Sequence, residues 1–425
     1  MKISIIGLGY VGLPLLIELS KKFKTVGYDS DSKRISELKK GFDRNDANKI
    51  QKIKLKKKIL TDKIENIKDS DVYIITLPTP VNIKNLPDLK NIISITRDIS
   101  NYIKNKNLVI YESTFYPGLT EETLVPILEK GSNLKCRFEK NNIKKYFSVG
   151  YSPERINPGD KIHTIKNIKK IISASNKIAL KIMNNIYSTI INAGVYETLS
   201  IKTAEASKVI ENIQRDINIA LVNEFSKIFN KMNLDTSEVL KAASTKWNFV
   251  NFEPGFVGGH CIGIDPYYLA FKAKQIGIQP KIILQGRKIN EGMSNYAAKM
   301  IFKKSKIHRV NFNKAKVLIM GFAFKENCND IRNTKIFDLY KQLKQKFKFI
   351  DLFDPYVDKL ETKKYYKINI YEKAPKKTYD ILIVAVKHKK FKLHSFEDMN
   401  IKCKKNYLLF DLKNTYPKLH SEFSL

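Results

Sequence analysis

The chain has 425 residues, too many for one compact core, and its length indicates two or three domains. Lys and Arg number 77 against 42 Asp and Glu, a net charge of +35, but lysine is spread through every segment and no stretch matches a known nucleic-acid-binding signature. The composition therefore predicts a diffuse positive field that attracts an anionic substrate, and no nucleic-acid partner.

The first predicted elements surround a glycine-rich turn. An apolar strand over residues 2–6 enters Gly7-Leu-Gly-Tyr-Val-Gly12, and helical apolar spacing follows over 13–22. Between a strand and a helix, these glycines permit a sharp bend, close approach of a pyrophosphate and packing of the helix on the strand. A second strand, 24–28, ends at Asp29, whose carboxylate can bind an adenosine ribose and repels a 2′-phosphate. The pattern predicts an NAD site rather than an NADP site; the alternative is a glycine turn with an incidental acidic residue.

Three further strands, over 71–77, 108–113 and 146–150, follow helical or polar stretches, a rhythm typical of a parallel doubly wound sheet. Each ends in a loop: 78–80, 113–118 and 152–160. Ligands of such sheets lie at the carboxyl ends of the strands, so these loops are expected to face the cofactor. Thr114 and Glu154 are the chemical candidates there, although a turn hydroxyl and a surface carboxylate are the simpler interpretations of each alone.

A long helix without glycine or proline is predicted from 200 to about 232. Lys208, Asn212 and Arg215 share one face, which is either a solvated polar surface or, beside a reactive group, a source of positive charge for catalysis. Such a helix suits a domain or dimer interface. Its apolar positions repeat every three or four residues and predict a core stripe of Val209, Ile213, Ile217, Leu221, Phe225 and Ile228.

The segment 255–268 reads Gly-Phe-Val-Gly-Gly-His-Cys-Ile-Gly-Ile-Asp-Pro-Tyr-Tyr and carries a candidate nucleophile, Cys261. Gly258 and Gly259 can adopt backbone conformations closed to other residues, and without side chains they let a ligand lie against the main chain. Asp265 follows four residues after the cysteine and also fits the N-cap of a helix. The alternative interpretation is a small buried cysteine followed by a helix cap.

Beyond residue 300 the pattern of strands and helices restarts, which predicts a second α/β domain. Strand-like runs occur at 317–320, 349–353, 381–386 and 408–410. The loop 321–333 follows the first of them and carries Lys325 and Arg332, which can bind an anionic group. Arginine suits a phosphate because its planar guanidinium donates two parallel hydrogen bonds.

The four cysteines are too far apart in the sequence to indicate a disulfide framework or a zinc site, and they fit a reducing cytosol. No apolar stretch reaches the length needed to span a bilayer, so no membrane insertion is expected and a cytoplasmic protein is predicted.

Together these motifs resemble the UDP-glucose/GDP-mannose dehydrogenase superfamily, in order and over nearly the whole chain. The match includes the glycine turn, Pro-Thr-Pro at 78–80, Ser-Pro-Glu-Arg at 152–155, the cysteine segment and the loop 321–333. The resemblance implies two Rossmann-like doubly wound domains joined by a long central helix and a helical domain. The implied boundaries are 1–198 for NAD binding, 199–300 for the catalytic cysteine and dimer interface, and 301–425 for UDP-sugar binding.

Within this family the motifs look most like those of UDP-N-acetylhexosamine 6-dehydrogenases of capsule and O-antigen synthesis. The resemblance implies oxidation of sugar C6 from an alcohol to a carboxylate, with two NAD⁺ reduced and UDP-N-acetylglucosamine as the best candidate substrate. UDP-N-acetylgalactosamine, UDP-N-acetylmannosamine and UDP-glucose are alternatives, and a two-electron hydroxy-acid dehydrogenase is a remote one. Where UDP-glucose enzymes continue with Phe-Leu and a second glutamate, this chain reads Arg-Ile-Asn-Pro at 155–158, which argues against UDP-glucose.

The resemblance also implies roles for single residues, with no metal. Cys261 is the implied nucleophile and Asp265 the base. Lys208 and Asn212 are the implied oxyanion contacts, while Glu154 and Thr114 assist proton transfer near the nicotinamide. Implied cofactor-binding residues are Gly7, Gly9, Tyr10, Val11, Gly12, Asp29, Arg34, Thr79 and Thr114. Implied substrate-binding residues are Glu154, Arg155, Lys208, Asn212, Arg215, Gly258, Lys325 and Arg332.

Overall fold

The computed structural model describes residues 1–44, 59–139, 143–155, 164–259, 261–392, 395–416 and 419–425. Two compact units are found, Met1–Glu211 with Tyr267–Gln279, and Asn212–Pro266 with Pro280–Leu425. Each contains a mainly parallel sheet with helices, which confirms the predicted α/β fold class. The three-domain division at residues 199 and 301 stays a prediction.

The first unit is built on strands that alternate with helices. Its strands are β1 (Lys2–Ile6), β2 (Lys24–Tyr28), β3 (Leu60–Thr61), β4 (Val72–Ile75), β5 (Leu108–Tyr111), β6 (Lys135–Cys136), β7 (Tyr146–Tyr151), β8 (Lys170–Ala174) and β9 (Val195–Glu197). Its helices are α1 (Gly12–Leu19), α2 (Ser32–Lys39), α3 (Lys90–Ser100), α4 (Val125–Ser132) and α5 (Lys177–Ser188), with a 3₁₀ turn at Ile64–Ile67 and a π turn at Thr120–Leu124.

The first sheet has the strand order β3-β2-β1-β4-β5-β7-β8-β9, with β6 beside β7. Its strand pairs are parallel except β7 with β8, where Gly150 faces Ala174 in antiparallel register. The central strands are apolar on both faces because helices cover both sides of a parallel sheet. The chain runs outward from β1 on one side and from β4 on the other. The carboxyl ends of these strands therefore form a topological switch point, the usual ligand position in such sheets.

The second unit has a smaller sheet of parallel strands in the order β11-β10-β12-β13. Separate apolar clusters pack on its two faces, one containing Ile319 and the other Met320. Its strands are β10 (Lys316–Met320), β11 (Phe349–Phe353), β12 (Thr378–Val384) and β13 (Lys402–Asp411). Its helices are α7 (Thr236–Ala243), α9 (Lys281–Glu291), α10 (Met293–Ile307), α11 (Lys335–Lys344), α12 (Lys359–Tyr366) and α13 (Lys389–Lys392). Helices α6 (Ile201–Lys231) and α8 (Asp265–Gln275) each contain a boundary between the units.

The long helix α6 forms where predicted, but part of its predicted core stripe was wrong. Leu221 is 46% exposed and Ile228 is 47% exposed. The helix is covered instead along the neighbouring edge, where α9 approaches it closely at Gly286. A Cβ on Gly286 would lie 3.7 Å from the Cβ of Ala220, so the contact falls one residue away from Leu221. In the part of the chain that the structure describes, no helix is both long and apolar enough to cross a membrane.

Candidate active site

The turn between β1 and α1 has the shape that a dinucleotide phosphate requires. Gly7 has φ +92°, which residues with a Cβ rarely adopt. A Cβ on Gly12 would lie 1.9 Å from the Gly7 carbonyl oxygen, so this glycine lets the helix pack on the strand. A Cβ on Gly9 would meet no heavy atom of the described residues within 4 Å. Protein packing does not explain that glycine, and the open space fits the pyrophosphate of NAD.

The start of α1 is also suited to a phosphate. Val11 occupies the N-cap position, and among the described residues no side chain caps the helix there. A helix start without a side-chain cap offers backbone N–H groups and the positive end of the helix dipole to an anion. Tyr10, the preceding residue, is half-buried at the same turn.

Asp29 lies directly after β2, beside the glycine turn and partly exposed. Its Oδ2 accepts a hydrogen bond from the Leu8 N–H at 2.8 Å, and its Oδ1 accepts one from the Asp31 N–H at 3.0 Å. These bonds fix the carboxylate at the carboxyl end of β2, beside the glycine turn, where a ribose of NAD would lie. Each carboxylate oxygen has a second lone pair that can accept a ribose hydroxyl.

We expect Asp29→Asn to raise the ratio of kcat/KM for NADP⁺ to that for NAD⁺ at least about tenfold, because the change removes the charge that repels a 2′-phosphate. Steady-state assays with both cofactors measure the ratio. Affinity for UDP serves as the control. It should not change, because UDP is expected to bind residues of the second unit and Asp29 lies in the first unit. A ratio within twofold of the wild-type ratio would contradict the role given to Asp29.

Arg34, expected to bind the cofactor, is only 4% exposed. Its Nε donates to the Leu8 carbonyl oxygen at 3.0 Å, and its Nη1 lies 2.6 Å from the Asp43 carboxylate. The side chain therefore supports the glycine turn from within the protein. A direct contact between Arg34 and the cofactor stays a prediction.

The loops that end β4 and β5 are tied to each other. The Thr79 hydroxyl donates to the Thr114 carbonyl oxygen at 2.8 Å, and the Ser113 hydroxyl donates to the Leu77 carbonyl oxygen at 2.6 Å. The Tyr268 hydroxyl in α8 donates to the Thr79 carbonyl oxygen at 2.8 Å. Thr79 is buried and Thr114 half-buried, so both predicted cofactor contacts lie on one braced edge of the first sheet.

The segment after β7 is described as far as Arg155, and 156–163 lie outside the described residues. Glu154 is half-buried there. The Arg155 guanidinium pairs with the Glu211 carboxylate at 2.8 Å and donates to the Lys169 carbonyl oxygen at 3.1 Å. This pairing fixes Arg155 near α6, and its predicted contact with a substrate stays a prediction.

A buried cluster that the sequence motifs did not indicate lies at the end of β5. Glu112 accepts hydrogen bonds from the Lys170 ammonium at 2.8 Å and from the Tyr187 hydroxyl. Burial raises the pKa of Glu112, against the opposing charge of Lys170. The Lys170 ammonium also lies 3.5 Å from the Pro153 carbonyl oxygen, so the cluster supports the segment that carries Glu154. Its sequence signal is an acidic residue directly after a buried strand, as for Asp29.

The cysteine segment lies in the second unit as far as Pro266, with Cys261 half-buried and His260 outside the described residues. A Cβ on Gly258 would lie 2.7 Å from the Asn333 carbonyl oxygen, and one on Gly259 would lie 2.7 Å from the Phe324 ring. Gly259 also has φ +82°. The expectation that a ligand explains both glycines was therefore incomplete, because the loop after β10 occupies the space that their missing side chains leave.

Asp265 is fully buried at the first residue of α8. Its N–H donates to the Cys261 carbonyl oxygen at 2.9 Å, and its Oδ2 accepts a hydrogen bond from the Asn212 side-chain amide at 2.6 Å. Hydrogen bonds thus connect three candidate residues within the second unit, namely Asn212, Cys261 and Asp265. The amide fixes the carboxylate one helical turn after the cysteine.

Lys208 and Arg215 lie on α6, before and after Asn212. Lys208 and Asn212 are buried, which contradicts a fully solvated polar face, whereas Arg215 is exposed. Lys208 belongs to the first unit and precedes Asn212 by one helical turn. The predicted roles of Lys208 and Arg215 toward a substrate stay predictions.

A second polar network that the sequence motifs did not indicate braces the start of the cysteine segment. The Asn223 side chain donates to the Gly255 carbonyl oxygen at 3.0 Å and accepts from the Gly255 N–H at 2.7 Å. It also donates to the Asn290 side-chain oxygen at 2.8 Å, and Asn290 donates to the Asp216 carboxylate at 2.7 Å. The same carboxylate receives the buried Arg287 guanidinium at 2.6 Å. Because these partners lie up to 74 residues apart, no local pattern reveals them.

The loop 321–333 carries the two cations expected at the nucleotide. The Arg332 guanidinium forms two parallel hydrogen bonds with the Asp330 carboxylate, at 2.9 Å and 2.7 Å. The Lys325 ammonium lies 5.6 Å from the centre of the Phe324 ring. Both side chains are partly exposed and can contact a ligand. Binding of UDP by these residues stays a prediction.

Models of the UDP-glucose/GDP-mannose dehydrogenase family match the NAD binding domain at 1–191, the central domain at 202–292 and the UDP binding domain at 318–418. The chain is 47% identical to UDP-N-acetyl-D-glucosamine 6-dehydrogenase of Salmonella typhi, covering 100% of this chain and 99% of that protein. Its identity to the enzyme of the same name from Pseudomonas aeruginosa is 45%, with 97% and 96% covered. A solved UDP-D-ManNAc dehydrogenase from Pyrococcus horikoshii superposes with a TM-score of 0.82 at 28% identity, covering 98% of this chain and 96% of that one.

Proposed function

Because the chain belongs to the UDP-glucose/GDP-mannose dehydrogenase family, and is thus an NAD-dependent nucleotide-sugar dehydrogenase, we propose that it oxidises C6 of UDP-N-acetylglucosamine to the carboxylate. The observation that carries this substrate choice is the 47% identity, over the full chain, to a relative that bears this activity in its name. Relatives named for UDP-N-acetyl-D-mannosamine are more distant, at 31% identity for the protein from Methanococcus maripaludis.

The proposed chemistry explains why the site needs a thiol. Bound NAD⁺ supplies the acceptor for a hydride in each of two oxidations. The first oxidation leaves an aldehyde at C6, which is a poor hydride donor until a nucleophile adds to its carbon. Addition of the Cys261 thiolate forms a thiohemiacetal, and loss of the hydride from C6 converts it to a thioester. Water then attacks the thioester carbon and releases the uronate and the free thiol.

We assign the remaining groups by the charges that these steps create. Lys208 and Asn212 would stabilise the oxyanion formed when sulfur or water adds to the carbonyl carbon. Asp265, oriented by the Asn212 amide, would accept a proton through a water. Glu154 would assist hydrolysis of the thioester, and Thr114 would hold water near the nicotinamide. Arg155, Arg215, Lys325, Arg332 and the Gly258 loop are proposed substrate contacts.

The test counts NADH against uronate in the same samples, with UDP-N-acetylglucosamine, UDP-N-acetylgalactosamine, UDP-N-acetylmannosamine and UDP-glucose supplied separately. We expect two NADH per uronate and the highest kcat/KM with UDP-N-acetylglucosamine. One NADH per product would reject the thioester route and favour a two-electron dehydrogenase. A higher kcat/KM for another sugar would reject the substrate choice alone.

We also propose that the enzyme is a cytosolic homodimer. The exposed side chains Ile210, Leu221 and Ile228 fall within about 20° of one another around α6, at 100° per residue. An apolar stripe on the surface of a long helix is typical of a subunit contact. Sedimentation equilibrium measures the mass, and a monomer at micromolar concentration would contradict the proposal. The cytosol is proposed because a catalytic thiol needs a reducing compartment, and subcellular fractionation would test it.

A further inference from the structure

The second sheet repeats the backbone arrangement with which the first presents a carboxylate to a ribose. Gly321 follows β10 as Gly7 follows β1, and both glycines have φ +92°. Asp354 follows β11 as Asp29 follows β2. Each carboxylate accepts a hydrogen bond from the N–H of the residue after its glycine, at 2.7 Å for Asp354 and 2.8 Å for Asp29. The same local geometry therefore occurs in both units.

In the second unit, however, the carboxylate is closed to any ligand. Asp354 is 0% exposed because His388, also 0% exposed, places its Nε2 3.0 Å from Asp354 Oδ2. The imidazole lies 4.9 Å from the Tyr356 ring and 5.1 Å from the Phe391 ring, measured between centres. Burial alone would raise the pKa of Asp354, but hydrogen bonds from His388 and the backbone hold that pKa below its usual value. The carboxylate thus serves the protein and not a ribose.

The other imidazole nitrogen holds the loop 321–333. His388 Nδ1 accepts a hydrogen bond from the Asn327 N–H at 2.9 Å, so Nδ1 carries no proton and the Nε2 hydrogen points at Asp354. The Asn327 side-chain oxygen accepts a second bond from the Lys389 N–H at 2.7 Å. Asn327 has φ +57°, so the loop bends at this residue. Two hydrogen bonds therefore attach this bend to residues 388 and 389.

The loop 321–333 contributes to the proposed nucleotide site and also packs against the cysteine segment. The loop carries Lys325 and Arg332, and its residues Phe324 and Asn333 pack on the glycine pair before Cys261. The Asn333 side-chain amide also donates to the Gly259 carbonyl oxygen at 3.2 Å. A displaced bend at Asn327 would shift the two cations that the loop carries.

We propose that His388 is a positioning residue for the nucleotide. Oriented by Asp354, it holds the loop 321–333 in the shape in which Lys325 and Arg332 bind the diphosphate of the UDP-sugar. A carboxylate that binds ribose in the first unit orients an imidazole in the second. The inference rests on the proposed binding of the UDP-sugar by this loop, but not on the chemistry at Cys261.

The test uses UDP as the probe and isothermal titration of the full-length protein. His388→Gln can keep a donor toward Asp354, but it replaces the ring Nδ1 that accepts from the Asn327 N–H by an amide oxygen on a flexible chain, and we expect the Kd for UDP to rise about tenfold. Asn327→Gly keeps the positive φ and loses only the bond to Lys389, so a rise of about threefold is expected. The matched control is Asn400→Gly, an exposed position with φ +59° outside the loop, which should leave the Kd unchanged.

A positioning role predicts that KM for the UDP-sugar rises in both variants while kcat and the Kd for NAD stay within twofold. Unchanged UDP affinity in both variants would overturn the proposal, as would equal losses of UDP and NAD binding. If His388→Gln does not fold, Asn327→Gly decides alone. A wild-type protein that fails to bind UDP also overturns the inference. A wild type that binds UDP but does not oxidise UDP-N-acetylglucosamine rejects the proposed substrate and leaves the inference standing.

Discussion

Cys261→Ser is expected to lower the rate of uronate formation about 1,000-fold or more, a barrier increase of about 4 kcal/mol. The hydroxyl of serine ionises far less readily than a thiol near neutral pH, so addition to the aldehyde carbon becomes slow. Serine has nearly the shape of cysteine, and the half-buried segment with its packed glycine pair should keep its conformation.

Uronate and NADH are measured together in steady-state and single-turnover assays. The control is UDP affinity, which should stay within twofold because the nucleotide is assigned to a different loop. Cys136→Ser is a matched control, since that thiol in β6 is buried and burial raises its pKa to about 12, which makes it unreactive at neutral pH. Full turnover in Cys261→Ser would refute the assignment of the nucleophile.

Arg287→Met is expected to lower the free energy of unfolding of the second unit by about 3–5 kcal/mol. Methionine fills similar volume but leaves the buried Asp216 carboxylate without the cation that lies 2.6 Å away. The remaining hydrogen bonds from Asn290 to Asp216 do not neutralise a charge. Because Asn290 also bonds to Asn223, which clamps Gly255, the start of the cysteine segment should loosen as well.

Urea unfolding followed by circular dichroism measures the loss. Burial already raises the pKa of Asp216 in the native protein, and losing the arginine raises it further. A carboxyl group whose folded pKa is raised stabilises the fold below its unfolded pKa and loses that contribution as pH rises through the folded pKa. The variant should therefore be less impaired at pH 5 than at pH 8.

The double variant Arg287→Met with Asp216→Asn is the control for the charge itself. An amide keeps an acceptor for Asn290 and removes the buried charge, so about 2 kcal/mol of the loss should return. If Arg287→Met lowers the free energy of unfolding by less than about 1 kcal/mol, equally at pH 5 and pH 8, the ion pair of Arg287 with Asp216 does not stabilise the second unit.

The features that could be predicted from the sequence are those set by neighbouring residues. Gly7, Gly12 and Asp29 occupy fixed places relative to a strand and a helix, and the structure places them accordingly. The buried face of α6 was harder to predict because apolar residues occur on two adjoining edges of the helix. Ala220 and Leu221 are both apolar, and only the approach of α9 at Gly286 shows that Ala220 is the one covered.

The supporting polar groups could not be predicted because each depends on a partner far along the chain. His388 meets a carboxylate 34 residues earlier, and Arg287 meets one 71 residues earlier. A lone histidine or arginine in a lysine-rich sequence gives no sign of burial. Asp354 was the exception that could have been found, since its place after β11 copies that of Asp29 after β2.

The close packing of Gly258 and Gly259 on the loop 321–333 also limits how this enzyme can be redesigned. The two segments have complementary surfaces, with a carbonyl oxygen and an aromatic ring where side chains would otherwise lie. Grafting the loop 321–333 from a relative with different nucleotide preference should therefore fail unless residues 255–265 are exchanged with it. The UDP affinity of a chimera with the loop 321–333 exchanged alone, compared with one in which residues 255–265 are exchanged as well, would show whether the two segments must be replaced together.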